Sequence, residues 1–547
     1  MADPKLSREE MIEQDVADLK SLGYTQQLFR EMGVFSNFAI SFSIISILTG
    51  AVLLYGTGLK FAGPVINSVG WPLVSLFTLL VAASMAEIAS AYPTAGGLYF
   101  WSYRLGGKGF AWVTAWFNMV GQVTATAAIN MGAAIYFVGA LTRLLHIPDD
   151  YKIPVFGSLS NWYFQICVMV LLLIPQVLIN AFGIRLTAKL NGISVYWHLI
   201  GVFVIVGLLT FFGKHHSDLG FLFQYTNSVT PLDASSSLIH EQTVPALVIG
   251  AYSMPSPLFT LFPFLKSFYN AAPFALIFTL GLLQAQWTYT GYDASAHVAE
   301  ETIMARRNSA WGIFLSVLLS AVAGYILLLV LTWCIPNRDI AKTANDAYPV
   351  LYIATENLSA FMANMVAVII GVAMWLCGSS SIASMSRMWY AFSRDNGMPG
   401  ARLIKQVHPK YHTPIWAIVI SSLFSVVICL YAAAYTLITS ISTIALYIAY
   451  ILPVFLNWRN KLRHKGEFTT PQTAPWNLGK WGVVINFIAI AWVVLITVMF
   501  SIPPNELVLW TMLIMLVKLR LYWQFWAKKR FTGPTPDDEA ELRQEMI

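Results

Sequence analysis

Few side chains in this sequence can do chemistry, and most of them interrupt apolar runs. The stretch QWTYTGYDASAHVAEE, Gln286 to Glu301, follows the apolar run PFALIFTLGLLQA, Pro273 to Ala285. A helix begun there should run on. Instead Trp287 is followed by Thr288, Tyr289, Thr290 and Gly291, and then by Asp293. A second run is broken by SIISILTG, which sets Ser46, Ile47, Leu48, Thr49 and Gly50 among apolar neighbours. An unwound turn exposes amides and carbonyls that hydrocarbon cannot satisfy, so it survives only where it lines a cavity. The half-helix starting after such a break presents its positive dipole end, which suits a carboxylate. The half-helix ending before it presents carbonyls, which suit an ammonium group. Paired breaks can therefore receive a small charged ligand without a charged side chain. Equally, Gly and Thr are common in membrane helices because they permit close packing.

Two titratable groups stand inside apolar segments. His198 lies in GIRLTAKLNGISVYWHLIG, 183–201. Histidine changes charge at around pH 6–7, so it could switch a charge there; it could also be a core histidine bonded to a backbone carbonyl. Asp293 is an acid where burial costs about 2.5–3.5 kcal/mol on insertion scales. It reads as a proton-sensitive switch, as a tether near an inner gate, or as a helix-end acid already in water. Glu87 reads as structural. Asn118, Gln122 and Asn130, and the run Ser379 to Ser381, line a pathway or tie helices together. Arg387, Arg394 and Asp395 read as an inner-face charge network, on positions that also set topology.

These residues need elements to hold them. Of 547 residues, 57% are hydrophobic and 11% charged, against about 25% charged in soluble proteins. That composition marks a polytopic membrane protein. A spanning helix takes about 20 apolar residues, and twelve candidates fit: 36–58, 70–91, 111–143, 162–182, 192–213, 273–298, 310–335, 361–390, 413–433, 435–457, 481–502 and 505–526. With the N-terminus inside, 26 of the 33 Lys and Arg fall in inner segments and 7 in outer ones. This bias favours cytoplasmic termini. The +6 net charge therefore serves topology, and nucleic acid is not an expected partner. The piece Val244 to Lys266 is apolar but carries four prolines; a span there would reverse every later loop, so it reads as an outer covering or re-entrant segment. The N-terminal stretch is no cleavable signal and reads as a cytoplasmic segment, with a short amphipathic helix as one form. Cys167, Cys334, Cys377 and Cys429 lack metal-ligand spacing, and neither metal nor cofactor is expected.

The two breaks lie in the first and sixth spans, five helices apart. Interrupted segments in corresponding positions of two halves point to a transporter binding site. Four motifs carry a resemblance. GYDASAHVAEET, 291–302, SMAEIASAYPTAGGLYFW, 84–101, SRMWYAFSRDNGMP, 386–399, and FSIISILTG, 42–50, resemble the amino acid/choline transporter branch of the amino acid–polyamine–organocation (APC) superfamily. The likeness is nearest to the subgroup of 4-aminobutyrate permeases and plant bidirectional amino acid transporters. It implies an all-α, LeuT-like fold: a five-plus-five inverted repeat with two helices added. The division expected is an N-terminal segment 1–35, repeats 36–213 and 273–457, an outer loop 214–272, added helices 458–526 and a tail 527–547. In relatives an aromatic four residues before the glycine of the break caps the substrate, which casts Trp287 as the lid, with Tyr289 as the alternative. Some proton-coupled relatives carry a lysine at the place of His198, standing in for a sodium ion beside the first break. The outer insert is longer than the family leads one to expect.

The function implied is a plasma-membrane secondary transporter for an amino acid such as 4-aminobutyrate, proton-coupled or exchanging. Two alternatives stand beside it: a choline or polyamine transporter, and a nutrient receptor that no longer transports. A cation would need spare acids or an aromatic cage, and acids are few at midmembrane depth. An enzyme is disfavoured because neither HExxH nor a nucleophile–base pair occurs. A channel is disfavoured because no ring-type filter is visible.

Overall fold

The computed structural model describes residues 7–148, 151–182, 184–226, 258, 261–264, 273–431, 435–464, 474–503, 505–531 and 533–534. Most of the outer segment 214–272, with the proline-bearing piece in it, lies outside the described residues, as does the tail beyond 534.

The described chain is all-α apart from a two-residue hairpin, Lys152–Ile153 with Gly157–Ser158. Among the described residues nine helices are long and apolar enough to cross a membrane. They are Val34–Leu53, Ile66–Ala91, Lys108–Leu144, Trp162–Phe182, Arg185–Phe212, Ala305–Trp333, Ala360–Arg394, Leu437–Arg463 and Gly479–Met499. In order they are the first five spans, the seventh, eighth, tenth and eleventh. The ninth, Ile415–Tyr431, and the twelfth, Glu506–Tyr522, are shorter. The sixth is cut into Pro273–Gly281, Leu283–Thr288 and Ala294–His297. Several helices outrun their apolar stretch. The fifth starts at Ile184 rather than 192, because Arg185 and Lys189 are good helix formers that extend it past the hydrocarbon.

Burial sorts the spans. The first and third are enclosed almost all round, whereas the fourth, fifth and eleventh turn most of their surface outward. The order of packing is regular: the first span meets the sixth, the second the seventh, the third the eighth and the fourth the ninth. Breaks in the first and sixth spans, with the first four spans each packed on the span five places later, form the LeuT-like arrangement. An odd number of spans per unit inverts the second unit relative to the first.

The face that bears most of the basic loops is strapped by the N-terminal segment. Helix Arg8–Ser21 opens with a capping box at Ser7 and Glu10. It seats through the buried Leu19, which joins the hydrophobic core, and through polar groups. Asp15 accepts from the amides of Met304 and Ala305 at 2.6 and 3.0 Å, capping the seventh span. Arg30 donates to the carbonyls of Ala299 and Thr302. Met32 bridges Thr302 as a single β-pair.

Candidate substrate site

The first span stops at Ile45 because Ser46 takes a left-handed conformation, φ 34° and ψ 82°. The amides of Thr49 and Gly50 fold back onto the Ser46 carbonyl at 2.7 and 3.0 Å. Those of Ile47 and Leu48 find no acceptor among the described residues. Helix resumes at Gly50–Leu53 and, after a kink at Leu54, at Tyr55–Ala62. The sixth span stops at Thr288 and turns through Gly291 at φ +91°.

The two breaks interlock through their glycines. A Cβ on Gly50 would lie 2.7 Å from Thr288 Cα, and one on Gly291 would lie 2.2 Å from Ile44 Cγ2. The spans run oppositely, so each crossing sets an amide end beside a carbonyl end. The start of Gly50–Leu53 meets the end of Leu283–Thr288, and the end of Val34–Ile45 meets the turn before Ala294–His297.

His198 is fully buried against the first break. Its Nε2 lies 2.7 Å from Ser46 Oγ, which lies 2.6 Å from Thr49 Oγ1. Its Nδ1 lies 2.7 Å from the Ser194 carbonyl. A carbonyl only accepts, so Nδ1 carries a proton and Nε2 is the position that gains or loses one. With Nε2 bare, Ser46 donates to it and Thr49 donates to Ser46. Protonation would reverse the first bond and free the Ser46 hydroxyl to donate elsewhere, Thr49 Oγ1 being one acceptor within reach.

Asp293 is 1% exposed, so the reading of a helix-end acid in water does not hold. The sixth span turns inward before it ends, and the carboxylate is enclosed by donors. Tyr450 donates to Oδ1 at 2.8 Å. His297 Nε2, at 3.0 Å, and Asn118 Nδ2, at 3.1 Å, meet Oδ2. His297 Nδ1 reaches the Ala95 carbonyl at 3.2 Å. This cluster ties the sixth span to the third, the tenth and the inner loop.

Trp287 and Tyr289 point to different neighbours. The Trp287 indole donates to Ser442 at 3.0 Å and meets Tyr435 edge-on. Tyr289 bonds Ser75 at 2.6 Å and packs on Trp71. Sequence reasoning named Gln122 but missed Gln286 and Tyr435. Gln286 is fully buried, and among the described residues both its amide atoms, Tyr435 Oη and Gln122 Oε1 have no hydrogen-bond partner, although buried polar atoms normally have one. An amide two residues before the threonine pair was a signal of that kind.

On the inner side Arg387 and Arg394 find partners that sequence reasoning did not name. Arg387 Nε donates to Glu301 at 2.9 Å, with side chains 1% and 2% exposed. Arg394 holds Glu300 through two bonds of 3.1 Å and lies over the Tyr24 ring. Asp395 Oδ2 accepts from Tyr24 and Tyr99 at 2.9 and 2.5 Å. Burial raises the Asp395 carboxyl above its usual 3.8, opposed by Arg394 and the two phenols. The glutamates close the motif GYDASAHVAEE, so the sixth-span break and these buried ion pairs belong to one stretch. Glu87 is bound by Lys461, Asn457 and the amide of Leu478, a tie between the second and tenth spans.

An all-α bundle whose two interrupted spans cross around unpartnered polar groups is the architecture of a membrane transporter. Comparison with known proteins agrees: a family model for amino acid permeases matches residues 32–522. The chain belongs to the amino acid permease family, within the APC superfamily. It is 35% identical to the amino-acid permease BAT1 of Arabidopsis thaliana, over 94% of this chain and 95% of the relative. A BAT1 homolog of Oryza sativa subsp. japonica is also 35% identical, over 89% of this chain and 88% of its own. The GABA-specific permease of Saccharomyces cerevisiae is 25% identical, over 89% of this chain and 78% of its own.

Proposed function

We propose that the protein is a secondary active transporter that carries a zwitterionic amino acid, such as 4-aminobutyrate, by alternating access. The observation that carries this reading is the double crossing at Gly50/Thr288 and Gly291/Ile44. Each crossing sets amides beside carbonyls, which suits a molecule with a carboxylate and an ammonium group. Ser46 to Gly50 and Thr288 to Gly291 line the site, Trp287 caps it, and Gln286 and Tyr435 add polar contacts. The donors around Asp293 favour a zwitterion over an organic cation, because they occupy the nearest carboxylate. The relative named as GABA-specific points the same way.

Transport is proton-coupled or by exchange, with His198 as the coupling group. A proton on Nε2 turns the Ser46 hydroxyl and so changes the acceptors offered at the break. Asp293 serves beside it as a switch between the site and the inner loop. Arg387, Arg394 and Asp395, with Glu300 and Glu301, form the inner gate. The protein sits in the plasma membrane with both termini in the cytoplasm, as its basic loops favour. Uptake or exchange of labelled amino acids in proteoliposomes tests the whole reading.

A further inference from the structure

On the side of the basic loops, two cavities with adjacent lining residues are not used by the transport reading. One, of about 540 Å³, is lined by Arg104, Lys108 and Arg459 around the Gly106–Gly107 turn. Arg104 and Lys108 are exposed and Arg459 is half-buried. None of the three has a carboxylate within ion-pair reach among the described residues. Arg459 Nε is buried with no hydrogen-bond partner among the described residues. The other cavity, of about 390 Å³, lies between the third, tenth and twelfth spans. Phe110, Val113, Leu452, Leu516 and Leu519 make it almost wholly apolar, and Arg520 stands at it.

The two are neighbours in the chain and in space. Lys108 lines the first, Gly109 and Phe110 line the second, and Arg459 lies 6.0 Å over the Phe110 ring. Trp112 also lines the apolar cavity; it is 1% exposed and its indole N–H has no acceptor among the described residues. A cationic pocket joined to an apolar slot, with a buried donor beside them, describes a ligand with three parts. An anionic headgroup fills the first, an acyl chain the second, and an ester carbonyl accepts from the indole.

We propose that this pair of cavities is a binding site for an anionic phospholipid of the leaflet on the side of the basic loops. Cations near a membrane surface attract acidic lipids over zwitterionic ones. The apolar slot adds what a freely diffusing phosphate lacks, an anchor by burial of CH₂ groups. The site lies outside the interrupted spans, so the proposal stands whatever the transported substrate.

The test uses the full-length protein in nanodiscs containing phosphatidylglycerol and phosphatidylcholine, read by native mass spectrometry of retained lipid. The wild type is expected to retain phosphatidylglycerol preferentially. Arg104→Gln, Lys108→Gln and Arg459→Gln should weaken that preference by roughly fivefold for each cation removed. Should the triple variant fail to fold, Gly109→Leu carries the test. A Cβ at Gly109 meets nothing within 4 Å, so a leucine there starts in open space at the lining of the slot and should weaken lipid retention. Soluble glycerol phosphate, offered alone, should compete poorly. Equal retention of both lipids by the wild type overturns the proposal. So does unchanged retention in the variants, or competition by glycerol phosphate as strong as by the lipid.

Discussion

A Cβ placed on Gly291 would lie 2.2 Å from Ile44 Cγ2, so the two interrupted spans touch with no room for a side chain between them. Gly291 also holds φ +91°, which L side chains avoid. Gly291→Ala should therefore lose stability twice over. Crowding a packed contact costs about 1–3 kcal/mol, and a left-handed non-glycine residue about 1–2 kcal/mol more. We expect a lower thermal midpoint in detergent and loss of uptake. Adding Ile44→Ala should recover the crowding part only. A Gly291→Ala protein as stable and active as the wild type would mean that the spans do not cross as described.

His198→Ala removes the group whose Nε2 faces Ser46 at 2.7 Å. Uptake should lose its response to an imposed pH gradient while the protein still folds. His198→Lys, which keeps a cation at the break, should leave uptake or exchange insensitive to pH across the neutral range. The measurement is initial uptake rate against external pH for the three proteins. An unchanged pH response in His198→Ala removes the coupling role.

The inner closure can be broken from one side. Glu301→Gln leaves the Arg387 guanidinium buried without its carboxylate, a loss of about 3–5 kcal/mol for pairs of this kind. Thermal unfolding should register it. Glu301→Gln combined with Arg387→Met should recover much of the loss, because no uncompensated charge remains. If the single variant unfolds at the wild-type temperature, the pair does not hold the inner side shut.

Acidity should favour the closed inner face. Asp395 has a raised carboxyl when enclosed by Tyr24 and Tyr99, mainly through burial. Opening the face hydrates it and returns it toward 3.8. Closure therefore takes up a proton between those two values. Its contribution is fully present below 3.8 and is lost as pH rises through the raised value. Hydrogen exchange of the 299–305 backbone should accordingly quicken as pH rises through that window, after correction for intrinsic rates. Asp395→Asn, which cannot ionise, should abolish the dependence; a persisting one would place it on another group.

Depth in the membrane was legible in the sequence, and rotation about the helix axis was not. Hydropathy located the apolar helices, nine of them long enough to cross a membrane among the described residues, and Thr-Gly pairs located both breaks, because each depends on a short window of residues. Asp293 and His198 were visible as titratable groups in apolar surroundings. Their partners were not: Tyr450 lies 157 positions from Asp293, and Ser46 lies 152 from His198. The same limit hid Glu300 and Glu301, which look like solvated helix-end acids until the eighth span brings arginines to them. It also hid the seat of the N-terminal helix, where Asp15 meets the amides of Met304 and Ala305, 289 and 290 positions away.

The central claim is that crossing amide and carbonyl ends bind and move a zwitterionic amino acid. Purified protein in liposomes, offered labelled 4-aminobutyrate, alanine, lysine, glutamate and choline with and without a pH gradient, tests it most directly. The account predicts uptake or exchange of a zwitterion that responds to the gradient, with choline excluded. Folded protein that neither takes up nor exchanges any member of the panel would contradict it.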